Sequence, residues 1–340
     1  MLTAVIIEQI LAAIPHRTIG VFGDLFLDRY LDLDAALTEP SIETGLDAYQ
    51  VVRVRSYPGA AGTVINNLAA LGVGRIVPIS MIGDDGEGHE LRQALKTMTR
   101  VELAELAITT QRRTPTYTKP MLMTAGQAPR ELNRLDIKNR LPLPADVERK
   151  VLDSLTRHWH AFDALLVLDQ VSELGCGVVT ERVRDRLAEL GSNEPYKIVI
   201  VDSRERIGLF RNVCFKPNES ECLRASPNAA NLCDAMKQLV QKTRRPVACT
   251  CGAGGIMIAD ADGAEPSVVP AYPVAGPIDT VGAGDASSAA LACALACGVN
   301  WQAAAAFANL VASIAIQQIG VTGTATPEQV RQRWRTVSST

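Results

Sequence analysis

One carboxylate, Asp285, sits where a glycine-rich loop opens into a run of small residues. The loop reads Gly276-Pro-Ile-Asp-Thr-Val-Gly-Ala-Gly-Asp285, and the run that follows ends at Gly298. Pro277 lacks an amide proton, and Gly282 and Gly284 are conformationally loose, so the loop is neither regular helix nor strand. The run after it predicts a helix closed by Gly298. The first amides of a helix have no internal partner and carry the positive end of its dipole. The amides around Gly282, Ala283 and Gly284 can therefore wrap an anion. A carboxylate beside a phosphate is repelled unless it does chemistry there. The chemistry that suits Asp285 is taking a proton from a hydroxyl attacking that phosphate. The plainer alternative is a glycine turn with Asp285 as a helix N-cap.

A second pair of interest is Asn218 and Glu221, three residues apart in Cys214-Phe-Lys-Pro-Asn-Glu-Ser-Glu221. On an opening helix they share a face. An amide oxygen and a carboxylate suit a magnesium ion that keeps several waters. The alternative is a capping box around Asn218.

The elements that must hold these groups alternate. Thr18–Phe22, Ile76–Ile82, Ala164–Leu168 and Lys197–Val201 read as apolar strands, the last two ending at Asp169 and Asp202. Helices are expected where the Gly83–Leu91 run leads on to Met98, and over Asp146–Arg157, Glu181–Leu190 and Ala303–Ala312, with a terminal one from Thr326. Continuous Val/Ile/Leu strands between helices mean an α/β fold with a mainly parallel sheet covered on both faces. The first strand runs into Gly23-Asp24, which puts carboxylates at the carboxyl edge of the sheet, where ligands of such folds bind. Two stretches break the rhythm. Tyr49–Tyr57 and Thr114–Met123 look like exposed strands, the second turning through Ala125-Gly126. Together they predict one small sheet built from two insertions.

Composition narrows the function. The 340 residues carry a net charge of −3, 47% hydrophobic and 4% aromatic residues. No basic footprint for nucleic acid or anionic membrane is present, and few rings are available for base stacking. No apolar run is long enough to span a bilayer. Met1–Ile14 lacks a basic leader and is interrupted by Glu8, so it reads as an amphipathic helix rather than a signal peptide. The eight cysteines show no CxxC and no zinc spacing, and are expected to be reduced, mostly buried thiols of a cytoplasmic protein. There is no Gly-Lys dipeptide and hence no Walker A loop.

Asp279-Thr-Val-Gly-Ala-Gly-Asp285 resembles the C-terminal signature of the ribokinase/PfkB carbohydrate kinases, Asp-Thr-x-Gly-Ala-Gly-Asp. Other parts follow in family order. Pro58–Gly72 resembles the N-terminal signature, Gly-Gly-x-x-x-Asn, with two departures: the second Gly is Ala60, and the usual sugar-binding Asn is Thr63. Asn218 and Glu221 match its Asn-x-x-Glu, and Thr250-Cys-Gly252-Ala-Gly-Gly255 its Thr-x-Gly-x-x-Gly. The Gly23-Asp24-x-x-x-Asp28-Arg29-Tyr30 and Asn133–Asp136 runs are similar to the heptose-phosphate kinase half of bifunctional kinase–adenylyltransferases.

The resemblance implies a ribokinase-like three-layer fold over residues 1–340 as a single domain, with a β-sheet lid from about 29–57 and 112–136. It implies ATP-dependent phosphoryl transfer to a sugar or sugar-phosphate hydroxyl. Asp285 would be the base and the Gly282, Ala283 and Gly284 amides the anion hole. Asp28, Gly59, Ala60, Thr63 and Arg134 would meet the sugar. Thr250, Gly252, Gly255 and Asn309 would meet the nucleotide. Magnesium would sit near Asn218 and Glu221 through water, and potassium could bind at Asp279 and the Val281 carbonyl. A homodimer through the lid is expected. Adenylyltransfer is not, because no His-x-Gly-His is present. Arg29, Arg53, Arg55, Lys119, Arg130 and Arg134 in or beside the lid favour an anionic substrate, unless they are edge charges that prevent aggregation. A nucleoside kinase and a catalytically silent sensor of the same fold are the alternatives.

Overall fold

Strand β1 (Thr18–Gly23) and its neighbour β4 (Arg75–Gly83) are apolar on both faces, which only a sheet covered on both sides can bury. The computed structural model describes residues 2–338; Met1, Ser339 and Thr340 lie outside them. Between β1 and β4 come β2 (Leu25–Pro40) and β3 (Asp47–Ala60). Then follow β5 (Leu106–Thr109), β6 (Thr116–Met123), β7 (Arg130–Glu131), β8 (Leu135–Ile137), β9 (Ala164–Asp169) and β10 (Ile198–Ser203). The last strands are β11 (Cys214–Phe215), β12 (Val247–Thr250), β13 (Ile256–Ala259) and β14 (Ser267–Val269). The large sheet has the order β14-β13-β12-β11-β10-β9-β1-β4-β5. From β12 to β5 every pairing is parallel, and only the β12–β13 and β13–β14 pairings are antiparallel.

The helices are α1 (Ala4–Ala13), α2 (Ala61–Ala70), α3 (Gly86–Lys96), α4 (Ala145–His158) and α5 (Glu181–Asn193). They continue as α6 (Glu219–Ala225), α7 (Leu232–Thr243), α8 (Ala283–Ala296), α9 (Trp301–Ala315) and α10 (Pro327–Ser338). They cover both faces of the sheet and divide the core in two. Phe22, Val77, Trp159 and Val167 belong to one half, and Val21, Ile76, Leu166 and Leu291 to the other. Helix α8 is buried without a break from Ala286 to Leu295, as a helix without a polar face must be. Caps fall where the sequence allows them: Asp85, Thr180 and Asn300 each accept an amide of the first turn of α3, α5 and α9. Helix α3 stops at Lys96, a little short of the expected Met98.

The small sheet is real but larger than its sequence signal. It has the order β3-β2-β6-β7, with β8 also on β6. Strands β2 and β3 form a long antiparallel hairpin, pairing Leu25 with Ala60 and Asp28 with Tyr57. The sheet therefore starts at Leu25, directly after Asp24, and Asp28, Arg29 and Tyr30 lie on a strand rather than in a loop after one. Charged and small residues across 32–48 hid this strand from its sequence pattern.

Ala60, at the join between β3 and α2, has φ 52° and ψ −118°. This conformation is comfortable for glycine and costs other residues about 1–3 kcal/mol. Replacing Ala60 by glycine should therefore raise unfolding stability by about 1 kcal/mol once glycine's extra chain entropy is subtracted. Urea denaturation of the two chains measures the difference, and a lower stability for Ala60→Gly would show that the backbone strain is not there.

Candidate active site

The carboxyl ends of β9, β10 and β12, the chain after β11 and the start of α8 converge on one cleft. Its deepest part is an ion pair. Lys216 Nζ lies 2.9 Å from Asp202 Oδ2, with the two side chains only 4% and 12% exposed. Asp202 ends β10, and Lys216 follows β11 directly. The Ser288 hydroxyl, one turn into α8, lies 2.9 Å from the Gly284 carbonyl and 3.3 Å from Asp202. The first turn of α8 is thus fastened to the sheet.

Above this pair is a cleft of about 280 Å³ lined by Gly282, Gly284, Asp285, Lys216, Asn218 and Glu221. Gln170, Arg204 and Thr250 also line it. Gly282 is the N-cap of α8, at φ 80°, and a Cβ there would strike Thr322. Its conformation demands glycine twice over, by backbone and by space. Ala283 and Gly284 follow in the first turn. The expected alternative role for Asp285 is not taken: it lies within the first turn of α8 rather than at its cap.

Burial pushes the Asp285 carboxyl up to about 7, with the nearby Asp202 charge adding to the rise. Lys216 and Arg204 act in the opposite direction, and Asp28 adds to the rise. An acid poised near neutrality is the kind of group that can take up a proton during a reaction.

Asp28 lies across from the loop on β2. Its carboxylate is packed against Gly59, where a Cβ would collide with it. Burial raises its pKa, opposed chiefly by Lys119, whose Nζ is 3.7 Å away. Asp28, Tyr30, Tyr57 and Thr63 line a larger neighbouring cavity of about 660 Å³ that reaches Thr322. The two cavities meet where Gly282 approaches Thr322 and Thr63. Gly59 lies against Asp28 and Thr63 near Gly282, while Ala60 pairs with Leu25 at the start of β2.

Asn218 and Glu221 form the capping box that was the plainer reading. The Asn218 side chain accepts from the Glu221 amide, and Glu221 accepts from the Asn218 amide, each at 2.9 Å. Both also face the cleft. Burial raises the Glu221 pKa, the Asn218 amide opposing it. Among the described residues no group of three or more His, Cys, Asp or Glu converges on a metal position. One carboxylate and one amide fit a magnesium that takes its remaining ligands from water.

Thr250 sits against the same cap, its amide donating to the Pro217 carbonyl at 2.9 Å. Gly252 opens the turn between β12 and β13, and Gly255 closes it at φ 89° against the backbone of 269–271. Asn309 stands apart. Its side-chain NH2 donates to the Val269 and Pro270 carbonyls at 2.9 and 3.1 Å, so both its protons are spent inside the fold. Asp279 is also engaged: it accepts from the Val281 and Gly320 amides at 3.0 Å each, tying the loop to the end of α9. Val281 itself is exposed.

The cationic patch expected over the substrate is largely neutralised within the small sheet. Arg29 pairs with Glu87 and Glu90, and Arg55 with Asp32. Arg134 pairs with Asp136 while stacking 4.3 Å above Tyr117. Of these pairs only Arg55–Asp32 joins neighbouring strands; Arg29 reaches α3 and Arg134 pairs two residues along the chain, partners that a pattern of basic residues could not show. Arg53 and Arg130 are exposed. Sequence reasoning missed Lys216 and Arg204 and saw Asp202 only as a strand end. A lysine next to an apolar strand and two residues before Asn218 was the available signal for the first.

Residues 166–329 match the family model of the pfkB family carbohydrate kinases. The bifunctional protein HldE of Rhodopseudomonas palustris (strain TIE-1) is 30% identical over 334 residues, which is 96% of this chain and 65% of that relative. Its counterpart in Pelobacter propionicus is 30% identical over 337 residues, covering 95% of this chain and 64% of that one. The chain thus spans just under two thirds of the length of these relatives. Among solved structures, the Arabidopsis thaliana ribokinase complexed with ribose and ATP superposes with a TM-score of 0.66 at 16% identity, over 93% of this chain and 98% of that one. A putative ribokinase II from E. coli in complex with ATP and Mg2+ gives 0.65 at 17% identity, over 94% and 99%. With the sheet order and these likenesses together, the chain has a ribokinase-like α/β fold, whose residues 166–329 match the pfkB family model.

Proposed function

We propose that this protein is an ATP-dependent kinase that phosphorylates a hydroxyl of a sugar or sugar phosphate, with Asp285 as general base. The observation that carries this reading is the placement of Asp285. It is a half-buried carboxylate, lifted to about 7 by desolvation, in the first turn of α8 beside a glycine loop shaped for an anion. The ribokinase complexed with ribose and ATP and the putative ribokinase II in complex with ATP and Mg2+ point the same way.

In this reading Asp28 accepts hydrogen bonds from the sugar and turns one hydroxyl toward Asp285. The amides of Gly282, Ala283 and Gly284 hold the transferring phosphoryl group as its charge redistributes. Thr250, Gly252 and Gly255 lie along the nucleotide, and Asn309 supports that wall through the backbone after β14. Magnesium near Asn218 and Glu221 would neutralise phosphate charge when bound with nucleotide. Asp279 and Val281 are the positions for a potassium ion. The small sheet acts as a lid that excludes water from the phosphoryl group. It also forms a homodimer contact, since Val52, Val54 and Leu135 leave it with exposed apolar surface. The protein works in the cytoplasm. Among the described residues no helix is long and apolar enough to cross a membrane.

Asp285→Asn keeps the size of the side chain and removes its basicity. Turnover should fall by about 10²–10⁴-fold while ATP binding and folding persist. Near-normal turnover of the purified variant would end the assignment. The base must be ionised to accept a proton, so kcat/KM should decline as pH drops below about 7, the value to which burial lifts Asp285. A profile flat down to pH 5 would contradict it.

The cap and the metal can be separated. Asn218→Ala should cost about 1 kcal/mol of stability through the lost cap. Glu221→Gln still accepts the Asn218 amide, so stability should hardly change while the magnesium concentration for half-maximal rate rises. An unchanged magnesium titration would leave the pair as a cap alone. Light scattering at micromolar concentration tests the dimer, and a monomer would refute it.

A further inference from the structure

Among the described residues, the basic side chains around the cleft each have an acidic or carbonyl partner, Arg204 excepted. Lys216 is held by Asp202 at 2.9 Å and Arg206 by Asp169 at 2.8 Å. Lys119 lies between Asp28 and the Tyr30 hydroxyl, and Lys138 and Arg134 are paired with Glu173 and Asp136. Arg204 follows β10 directly and is exposed. Its backbone is fixed at both ends: its amide donates to the Asp169 carbonyl at 3.2 Å, and its carbonyl accepts from Arg224. Among the described residues its guanidinium has no carboxylate or carbonyl partner.

An arginine keeps its charge at any working pH, and an exposed guanidinium without a protein partner beside a cleft is free to take an anion. Arg204 shares the cleft with Gly282, Gly284 and Asp285. Its charge reaches both Asp285 and Asp28. It does not line the larger cavity around Tyr30, Tyr57 and Thr63.

We propose that Arg204 is a catalytic residue whose guanidinium clamps the phosphoryl group as it passes from nucleotide to acceptor. The proposal rests on the kinase reading above. In that step the acceptor oxygen forms a bond to the γ-phosphorus and its proton passes to Asp285. The bond from the γ-phosphorus to the bridging oxygen breaks, and ADP leaves with that electron pair. Charge on the equatorial oxygens has loop amides on one side. The planar fork of Arg204 supplies two parallel donors on the other. Asp202 cannot release Lys216 for this purpose without leaving a buried carboxylate unpaired.

The test compares Arg204→Gln and Arg204→Lys with the unsubstituted chain, using free and phosphorylated sugars as acceptors. Loss of one such donor from a transition state is worth about 10²–10³-fold in kcat. That loss is expected for Arg204→Gln with every acceptor, with acceptor KM and ADP affinity little changed and partial recovery in Arg204→Lys. Calorimetry with ADP, magnesium and aluminium fluoride, a planar phosphoryl mimic, should show tighter binding than ADP alone in the unsubstituted chain and not in Arg204→Gln. This readout stays informative should a variant lose stability, because ADP binding reports the folded fraction. Unchanged kcat overturns the proposal. So does a defect confined to the KM of phosphorylated acceptors, which would make Arg204 a reader of the acceptor's own phosphate. If the unsubstituted chain transfers phosphate to no acceptor, the kinase reading itself falls, a result visible before any substitution is made.

Discussion

A charge buried at the edge of a sheet must be neutralised where it stands. In this protein that requirement is met by Lys216 and Asp202. Taking both groups out of water is expensive, and their attraction returns the cost only in good geometry. The pair is therefore a poor source of stability and a strong source of position. It joins the end of β10 to the chain after β11, and Ser288 brings the first turn of α8 onto it. Asp285, on that same turn, inherits its surroundings from the pair: one negative and one positive neighbour, at the bottom of a partly closed cleft.

The same logic operates at the other strand ends. Asp169 is satisfied by Arg206 and by the Ser203 hydroxyl at 2.6 Å. Among the described residues Asp24 has no ion-pair partner, and Arg206 acts on it only through its charge. Asp24 accepts backbone amides from Gln170, Val171 and Val178, and burial together with the Asp169 charge still lifts its pKa to about 6. Acidic residues thus recur at the carboxyl edge, each with a different compensation, and the differences decide which of them is left facing the cleft.

This division explains what could be read in advance. The parallel sheet was legible because buried strands such as Ala164–Asp169 are apolar at every position. The loop before α8 was legible because glycine at 282 is required by backbone and neighbours together. The hairpin β2–β3 was seen only in part, since an edge sheet half open to solvent carries mixed residues with a weak period. The charge state of the small sheet was not legible. Whether Arg55 faces a substrate or Asp32 is decided by cross-strand register, which a list of basic residues does not contain. Arg204 escaped notice for the reverse reason: what distinguishes it is the lack of a partner, and a sequence does not show that.

Strand β1 passes into β2 through a single residue, so the covering sheet and the core sheet are one length of chain with Asp24 as its fixed point. The three amides on Asp24 make that point a fulcrum. Asp28 lies four residues further along an extended strand, a lever arm of about 13 Å at 3.3 Å per residue. A tilt of the outer sheet by about 10° would swing Asp28 through about 2 Å on that arm, the difference between a hydrogen bond made and one lost. The position of Asp28 is thus geared to the attitude of the whole outer sheet, and anything that leans on its far end is felt in the cavity that Asp28 lines.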